Sequence, residues 1–190
     1  MKKAAKGRIV LAVGLPGSGK STWFARRGIQ PLSSDTLRRW LLDDETNQQQ
    51  QRLVFQVLRR LLRQRLLLGQ PCNYVDATNL TPRERAFYVR MGRRYGYELH
   101  ALFFDVPLAV CLRRNRRRRR RVPQEAMERL ARKLTPPSLE EGFVRITVLR
   151  PGRAARVLSG KSARGPASRQ SARPSANGAG KKATRGKSKC

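Results

Sequence analysis

The chain predicts an α/β fold built on a parallel sheet, and three features of its 190 residues point there. Short apolar runs, such as Ile9 to Val13 and Ala101 to Phe104, alternate with segments whose apolar residues recur at helical spacing. The stretch Gly14-Leu15-Pro16-Gly17-Ser18-Gly19-Lys20-Ser21 follows the first run directly and satisfies G-x-x-x-x-G-K-[ST] at each fixed position. An apolar content of 39% is enough for one domain with a full core plus an appendage.

The glycine-rich stretch is a Walker A pattern, a phosphate-binding loop. Its glycines let successive N–H groups turn inward toward a polyphosphate, and a helix starting near Lys20 adds its positive end. Lys20 would reach the β- and γ-phosphates of ATP, and the Ser21 hydroxyl would sit on Mg²⁺. After a short helix, Ser34 is a plausible N-cap and Asp35 falls in the first turn of the next helix, with Arg38 at i+3 on the same face. That pair suits proton abstraction by Asp35 and the holding of an anionic acceptor by Arg38. Spacing alone fits equally well a helix-start acid favoured by the macrodipole.

A polar loop from Asp43 leads into a helix whose apolar positions are Leu53, Val54, Val57, Leu58, Leu61 and Leu62, stopped by Gly69 and Pro71. Cys72 to Asp76 reads as a buried strand ending in an acid. Thr81-Pro82-Arg83-Glu84 is a capping box with proline at the first helical position, so a helix runs from Pro82 to about Tyr95 with Phe87, Met91 and Tyr95 inward. Tyr97 to Asp105 holds the next strand. Either strand-end acid, Asp76 or Asp105, could stand beside the phosphate loop near Mg²⁺. Asp76 is preferred because Thr78 and Asn79 suit a working loop, whereas Asp105 runs straight into Val106-Pro107. His100, the only histidine, lies inside a strand and reads as structural.

A helix after Pro107 enters six consecutive arginines, Arg116 to Arg121, and Pro123 starts another helix bearing Ala126, Met127, Leu130 and Leu134. An arginine-rich helical segment over about residues 113–134 is where a lid would close over ATP. Val144 to Leu149 forms a last strand. Residues 1–152 are thus expected as the folded ATP-binding domain and 153–190 as a disordered basic tail, rich in Ser, Ala, Gly, Pro, Lys and Arg.

Charge narrows the partners. Lys and Arg total 43 against 12 Asp and Glu, a net +31; from Pro151 onward there are 11 bases and no acid, and the remainder is still +20. Such self-repulsion is relieved by a polyanion, so nucleic acid is the expected partner, with arginine-favouring coding bias as the alternative source. Cys72, Cys111 and Cys190 lack metal spacing and read as reduced thiols of a cytoplasmic protein. No stretch reaches membrane-spanning length.

The order Gly14-x-Pro16-Gly17-Ser18-Gly19-Lys20-Ser21-Thr22, Ser34-Asp35-x-x-Arg38, Asp76-Ala77-Thr78-Asn79, Arg114-Asn115-x-x-Arg118, Val122-Pro123 and Glu141-Gly142-Phe143 resembles the kinase domain of polynucleotide 5′-kinases and, more broadly, their AAA-type ATP-binding relatives. The resemblance spans about Arg8 to Leu149. It implies a three-layer P-loop NTPase fold of the kinase-like type, with Gly14, Pro16 to Ser21 and Thr22 around ATP and Ser21 and Asp76 on Mg²⁺. It further implies transfer of the γ-phosphate to a 5′-hydroxyl, Asp35 as general base, Arg38 on the acceptor phosphate, and Arg114 and Arg118 as lid arginines. Where the relatives continue Glu-Gly-Phe with Asp, this chain has Val144, which weakens any role for that loop. A small-molecule kinase of the same fold, or an ATP-binding nucleic-acid module without efficient transfer, are the other readings.

Overall fold

The structure, a computed structural model, describes residues 4–44, 47, 49–118 and 121–160. Strand β1 (Gly7–Val13) is central, because its side chains are apolar on both faces: Ile9, Leu11 and Val13 enter one core, Val10 and Ala12 the other. A strand buried on both sides reads as a continuous apolar run rather than an alternation. The other strands are β2 (Leu32–Ser33), β3 (Cys72–Asp76), β4 (Tyr97–Phe104), β5 (Arg145–Leu149) and β6 (Arg156–Ser159), in the order β2-β3-β1-β4-β5-β6. All neighbours are parallel except β5 and β6.

Helices flank both faces and give three layers. The first core takes Leu37 of α2 (Ser34–Leu42), Val54, Leu58, Leu62 and Leu66 of α3 (Gln51–Leu67), and Tyr88, Val89 and Met91 of α4 (Pro82–Tyr95). The second takes Phe24 of α1 (Lys20–Ala25), Cys111 of α5 (Leu108–Arg116) and Met127 of α6 (Gln124–Lys133). The carboxyl ends of β1 and β3 therefore open on the same edge, where parallel α/β sheets place their ligands. No described helix is long and apolar enough to cross a membrane.

Several sequence expectations shift. The N-cap of α2 is Ser33, not Ser34: Ser33 is still extended as the last residue of β2, so its hydroxyl accepts from Thr36 N–H at 3.3 Å. The inward stripe of α3 is the i, i+4 series Val54, Leu58, Leu62, Leu66, which leaves Leu53 and Leu61 exposed. In α4 the buried face is Arg85, Tyr88, Val89, Met91 and Gly92, with Phe87 and Tyr95 only half-buried. Arg85 moves inward because its charge is met there. The folded region also extends past the expected boundary at residue 152: Gly152, at φ 66°, turns the chain so that β6 pairs antiparallel with β5. Backbone pairing, which composition does not report, holds that strand. The remaining tail, 161–190, lies outside the described residues, as do Arg119 and Arg120. Of the three cysteines expected as reduced thiols, Cys111 is free and buried, and Cys190 is outside the described residues.

Arg85 is fully buried and holds together three loops at the domain's working edge. Its Nε and Nη2 donate to the two carboxylate oxygens of Glu141 at 2.8 and 2.7 Å, and Nη1 donates to the carbonyls of Asn79, Leu80 and Thr135 at 2.9 to 3.1 Å. A planar fork matches a carboxylate bidentately and leaves further N–H groups for carbonyls, which a lysine would not do. Glu141, in the 3₁₀ turn Leu139–Glu141, also accepts from Ser138 N–H at 3.1 Å. Truncation of Arg85 strands a carboxylate whose side chain is only 14% exposed, and removal of one partner of a buried pair costs about 3–5 kcal/mol. Arg85→Ala is therefore expected to lower the urea midpoint sharply at unchanged m-value, and by more than Arg85→Ala adds in a Glu141→Leu background; equal losses in both backgrounds would refute the pairing energy.

Candidate active site

The phosphate loop begins where β1 ends, and two glycines show why the loop needs them. A Cβ on Gly14, at φ 151°, would lie 3.0 Å from Phe104 Cβ and from Ser18 Oγ, and one on Gly17 would lie 2.7 Å from the Cys111 carbonyl oxygen. The loop is thus pressed between the end of β4 and the start of α5. Gly19, in the left-handed region, is the N-cap of α1 and supplies no side-chain acceptor, so the first-turn amides keep their bonding capacity. Ser18 Oγ is buried with no hydrogen-bond partner. A buried hydroxyl and uncapped amides bordering one loop fit a phosphate, whose oxygens accept from both.

Lys20 folds back over this loop, its Nζ donating to the carbonyls of Gly14 and Leu15 at 2.9 Å each. It is 8% exposed. Burial pushes its pKa down to about 8; Asp76, Cys111 and Asp35 work against that, while Arg118 adds to it. Ser21 Oγ donates to Asp76 Oδ2 at 2.9 Å. Burial raises the Asp76 carboxyl above its ordinary value, with Lys20 and the Ser21 hydroxyl opposing and Asp35 adding. Lys20, Ser21, Asp76, Asp35 and Arg118 thus form one electrostatic neighbourhood. Asp105 instead accepts from Arg150 Nε at 2.7 Å. Pro16 is half-buried in the loop and Thr22 exposed on α1.

Across the site, the first turn of α2 presents Asp35, whose side chain is 57% exposed, against Arg38, 3% exposed, at 2.8 Å. Arg38 Nη2 also donates to Gln51 Oε1 at 2.6 Å, while its Nε is buried and unpartnered. Gln51 begins α3, and no spacing in the sequence singled it out. From α5, Arg114 Nη1 reaches the Ser18 carbonyl at 3.3 Å. Both Arg114 and Arg118 are exposed.

Two expected working residues turn out to fasten loops. Asn79, 3% exposed at φ 48°, donates from Nδ2 to the Ala12 carbonyl at 2.8 Å, and the Thr78 carbonyl accepts from Gly14 N–H at 3.1 Å. These bonds lock the turn after β3 to the start of the phosphate loop, which sets Asp76 opposite Ser21. Outside the site, His100 meets Glu98 at 3.0 Å, and burial lowers its pKa. Among the described residues no cluster of three or more His, Cys, Asp or Glu could hold a metal. One hydroxyl and one carboxylate suit an octahedral Mg²⁺ that takes its other oxygens from phosphates and water, rather than a protein cage.

Loop, lysine, strand-end acid and helical arginines define a P-loop protein of the kinase-like class. The chain belongs to the AAA domain family designated AAA_33, whose model matches residues 9–137. Among solved structures it is similar to a chain of the Pnkp1/Rnl/Hen1 RNA repair complex, at 19% identity and TM-score 0.59, over 70% of this chain and 45% of that one. It is similar to a sugar kinase from Janibacter sp. at 18% identity and TM-score 0.53, over 76% and 85% of the two chains. It also resembles the Mycobacterium tuberculosis APS kinase CysC in complex with AMPPNP and APS, at 23% identity and TM-score 0.50, over 80% and 92%. The chain spans less than half the length of the RNA repair chain it matches. At these identities the likeness is one of fold.

The Lys20 shift has a measurable sign. Below about pH 8 the free protein carries Lys20 as the ammonium; above it the amine is neutral and must take up a proton to meet a polyphosphate. Triphosphate affinity is therefore expected to hold below pH 8 and to fall toward tenfold per pH unit above it. Titration calorimetry at pH 8.5 in two buffers of different ionisation enthalpy should show net proton uptake, and buffer-independent heats would contradict the shift.

Proposed function

We propose that the protein is an ATP-dependent phosphotransferase that moves the γ-phosphate of ATP to the 5′-hydroxyl of a polynucleotide. The observation that supports this most is the pairing of Asp35 with Arg38 at the mouth of the Lys20–Ser21–Asp76 cluster, a carboxylate exposed enough to meet an acceptor and close enough to influence Lys20 and Asp76. The family match and the kinases among its structural neighbours agree with the first half of the proposal. The RNA repair complex and the net charge of +31 favour the second half.

The phosphate loop amides, Ser18 and Lys20 bind the β- and γ-phosphates. Ser21 and Asp76 would hold Mg²⁺, which would supply neutralisation of the phosphate charge. Asp35 accepts the proton of the attacking hydroxyl as its oxygen bonds to the γ-phosphorus and the bond to the β-phosphate oxygen breaks, releasing ADP. Arg38, with buried guanidinium nitrogens beside that carboxylate, holds the acceptor's phosphate and places its hydroxyl on Asp35. Arg114 and Arg118 meet the phosphoryl group in flight, a contribution of about 10³–10⁵ in rate where arginine fingers have been removed.

Asp35→Asn is expected to cut transfer by about 10²–10⁴ with ATP binding retained. Labelled γ-phosphate offered to 5′-OH oligonucleotides, to sugars and to APS tests both halves. Label on a small acceptor alone would overturn the polynucleotide half, and ATP binding with no transfer to any acceptor, or an Asp35→Asn protein as fast as wild type, would overturn the kinase reading.

A further inference from the structure

Arg118 reaches the cluster from beyond the end of a helix, so something must hold it. Helix α5 ends at Arg116, and the chain then turns back through an arginine run to α6, starting at Gln124. The sequence between them offers no glycine, proline or acid before Pro123, and its like charges repel one another. Asn115, in the last turn of α5, is nevertheless 5% exposed. Its Nδ2 donates to the Val122 carbonyl at 2.7 Å and its Oδ1 accepts from Val122 N–H at 3.1 Å. A side-chain amide offers one donor and one acceptor in a plane, as a peptide does, and here it forms the closed pair that a strand partner would form. The Asn115 main-chain carbonyl meanwhile accepts from Arg118 N–H at 3.1 Å. One residue thus pins the loop's far foot by its side chain and the Arg118 backbone by its carbonyl.

Arg114 does not depend on this latch, because it lies within α5 and reaches the Ser18 carbonyl from there. Arg118 does. Its guanidinium is close enough to Lys20 and Asp76 to bear on both, yet its backbone is outside the helix.

We infer that Asn115 is a positioning residue that sets Arg118 over the phosphate loop by bridging the two ends of the arginine loop. The inference rests on the kinase reading for its consequence, since a fixed Arg118 matters most to a phosphoryl group in transfer. Loss of the bridge removes two hydrogen bonds and frees Arg118 to take positions away from the site.

The test is a double-mutant cycle with Asn115→Leu, near-isosteric and suited to a buried position, and Arg118→Ala. Asn115→Leu is expected to lower kcat by about tenfold to a hundredfold while KM for ATP moves less than about threefold, and to lower kcat by less than about threefold when Arg118 is already Ala. A residue that merely stabilises the fold would cost the same factor in both backgrounds, and that result overturns the inference, as does unchanged kcat in Asn115→Leu. A second arm needs no acceptor: the affinity for Mg²⁺, ADP and aluminium fluoride, a mimic of the phosphoryl group in flight, should fall in Asn115→Leu and in Arg118→Ala without adding in the double variant. If no acceptor is phosphorylated but this arm shows the coupling, the acceptor reading fails and the Asn115 inference stands; transfer that is sensitive to Arg118→Ala but not to Asn115→Leu reverses that outcome.

Discussion

A lysine forced beneath a backbone loop governs the rest of the structure. Lys20 is buried with its ammonium on two carbonyl oxygens, and those dipoles offset only part of what it loses by leaving water, so its pKa drops to about 8. The neighbouring charges do not settle the account. Asp76 and Asp35 favour the ammonium, but Arg118 opposes it, and Arg38 and Arg114 bring further positive charge to the same mouth. Four cationic side chains thus face two carboxylates at one edge of the sheet. A site arranged that way is stabilised by any ligand that arrives with several negative charges, and it holds its donors in place beforehand. Asp76 tells the same story from the other side: burial raises its pKa, and Lys20 and the Ser21 hydroxyl oppose that rise.

Arg85 shows the contrasting solution to burying a cation. It is as deeply placed as Lys20, yet a bidentate carboxylate and three carbonyls meet it. One cation is satisfied and fixes structure; the other is left short and awaits a partner. The two are linked through a short path, because Arg85 grips the Asn79 carbonyl while the Asn79 side chain grips Ala12, the residue two before Gly14. The turn after β3 is thereby held from both sides, and Asp76, which precedes it, inherits that rigidity. Thr135, at the exit of α6, is tied to the same guanidinium and donates its N–H to the Leu80 carbonyl at 3.0 Å. The segment that carries Arg114 and Arg118 therefore begins beside the phosphate loop and ends on the scaffold that supports it.

What was legible in the sequence follows from how local each cause is. The phosphate loop, the Thr81-Pro82 helix start and the apolar run of β1 are written in adjacent residues, and each appears where the pattern places it. The Asp35–Arg38 pair was legible because three residues along a helix share a face. Three other features depend on partners far along the chain. Glu141 meets Arg85 across 56 residues, which lets an arginine take a fully buried place on α4 while Phe87 is only partly buried. Gln51 meets Arg38 across a loop, so nothing in its own neighbourhood marks it. β6 exists through pairing with β5, and its composition is that of the tail it was assigned to. The fastening by Asn79 is hidden for the same reason: its partner, the Ala12 carbonyl, lies 67 residues away.

The arginine surplus divides along the same line. Much of it is consumed by the fold: Arg27 lies 4.0 Å over the Trp23 ring and Arg59 4.6 Å over Phe87, while Arg65 donates to Asn73 and to the Cys72 carbonyl and Arg63 to the Tyr95 hydroxyl. In these places a guanidinium covers aromatic surface or satisfies a neutral oxygen, such as the carbonyl at the start of β3, work that needs its planar fork and no anionic partner. A coding bias toward arginine would be tolerated at such positions, so total charge overstates the attraction for a polyanion. The arginines around the phosphate loop differ in kind. Arg38 keeps a buried N–H without a partner, and Arg114 and Arg118 are exposed near a loop whose Ser18 hydroxyl is buried without one and whose helix start has no side-chain cap. Unfilled bonding capacity, rather than the number of positive residues, is what singles out this edge as the proposed phosphate site.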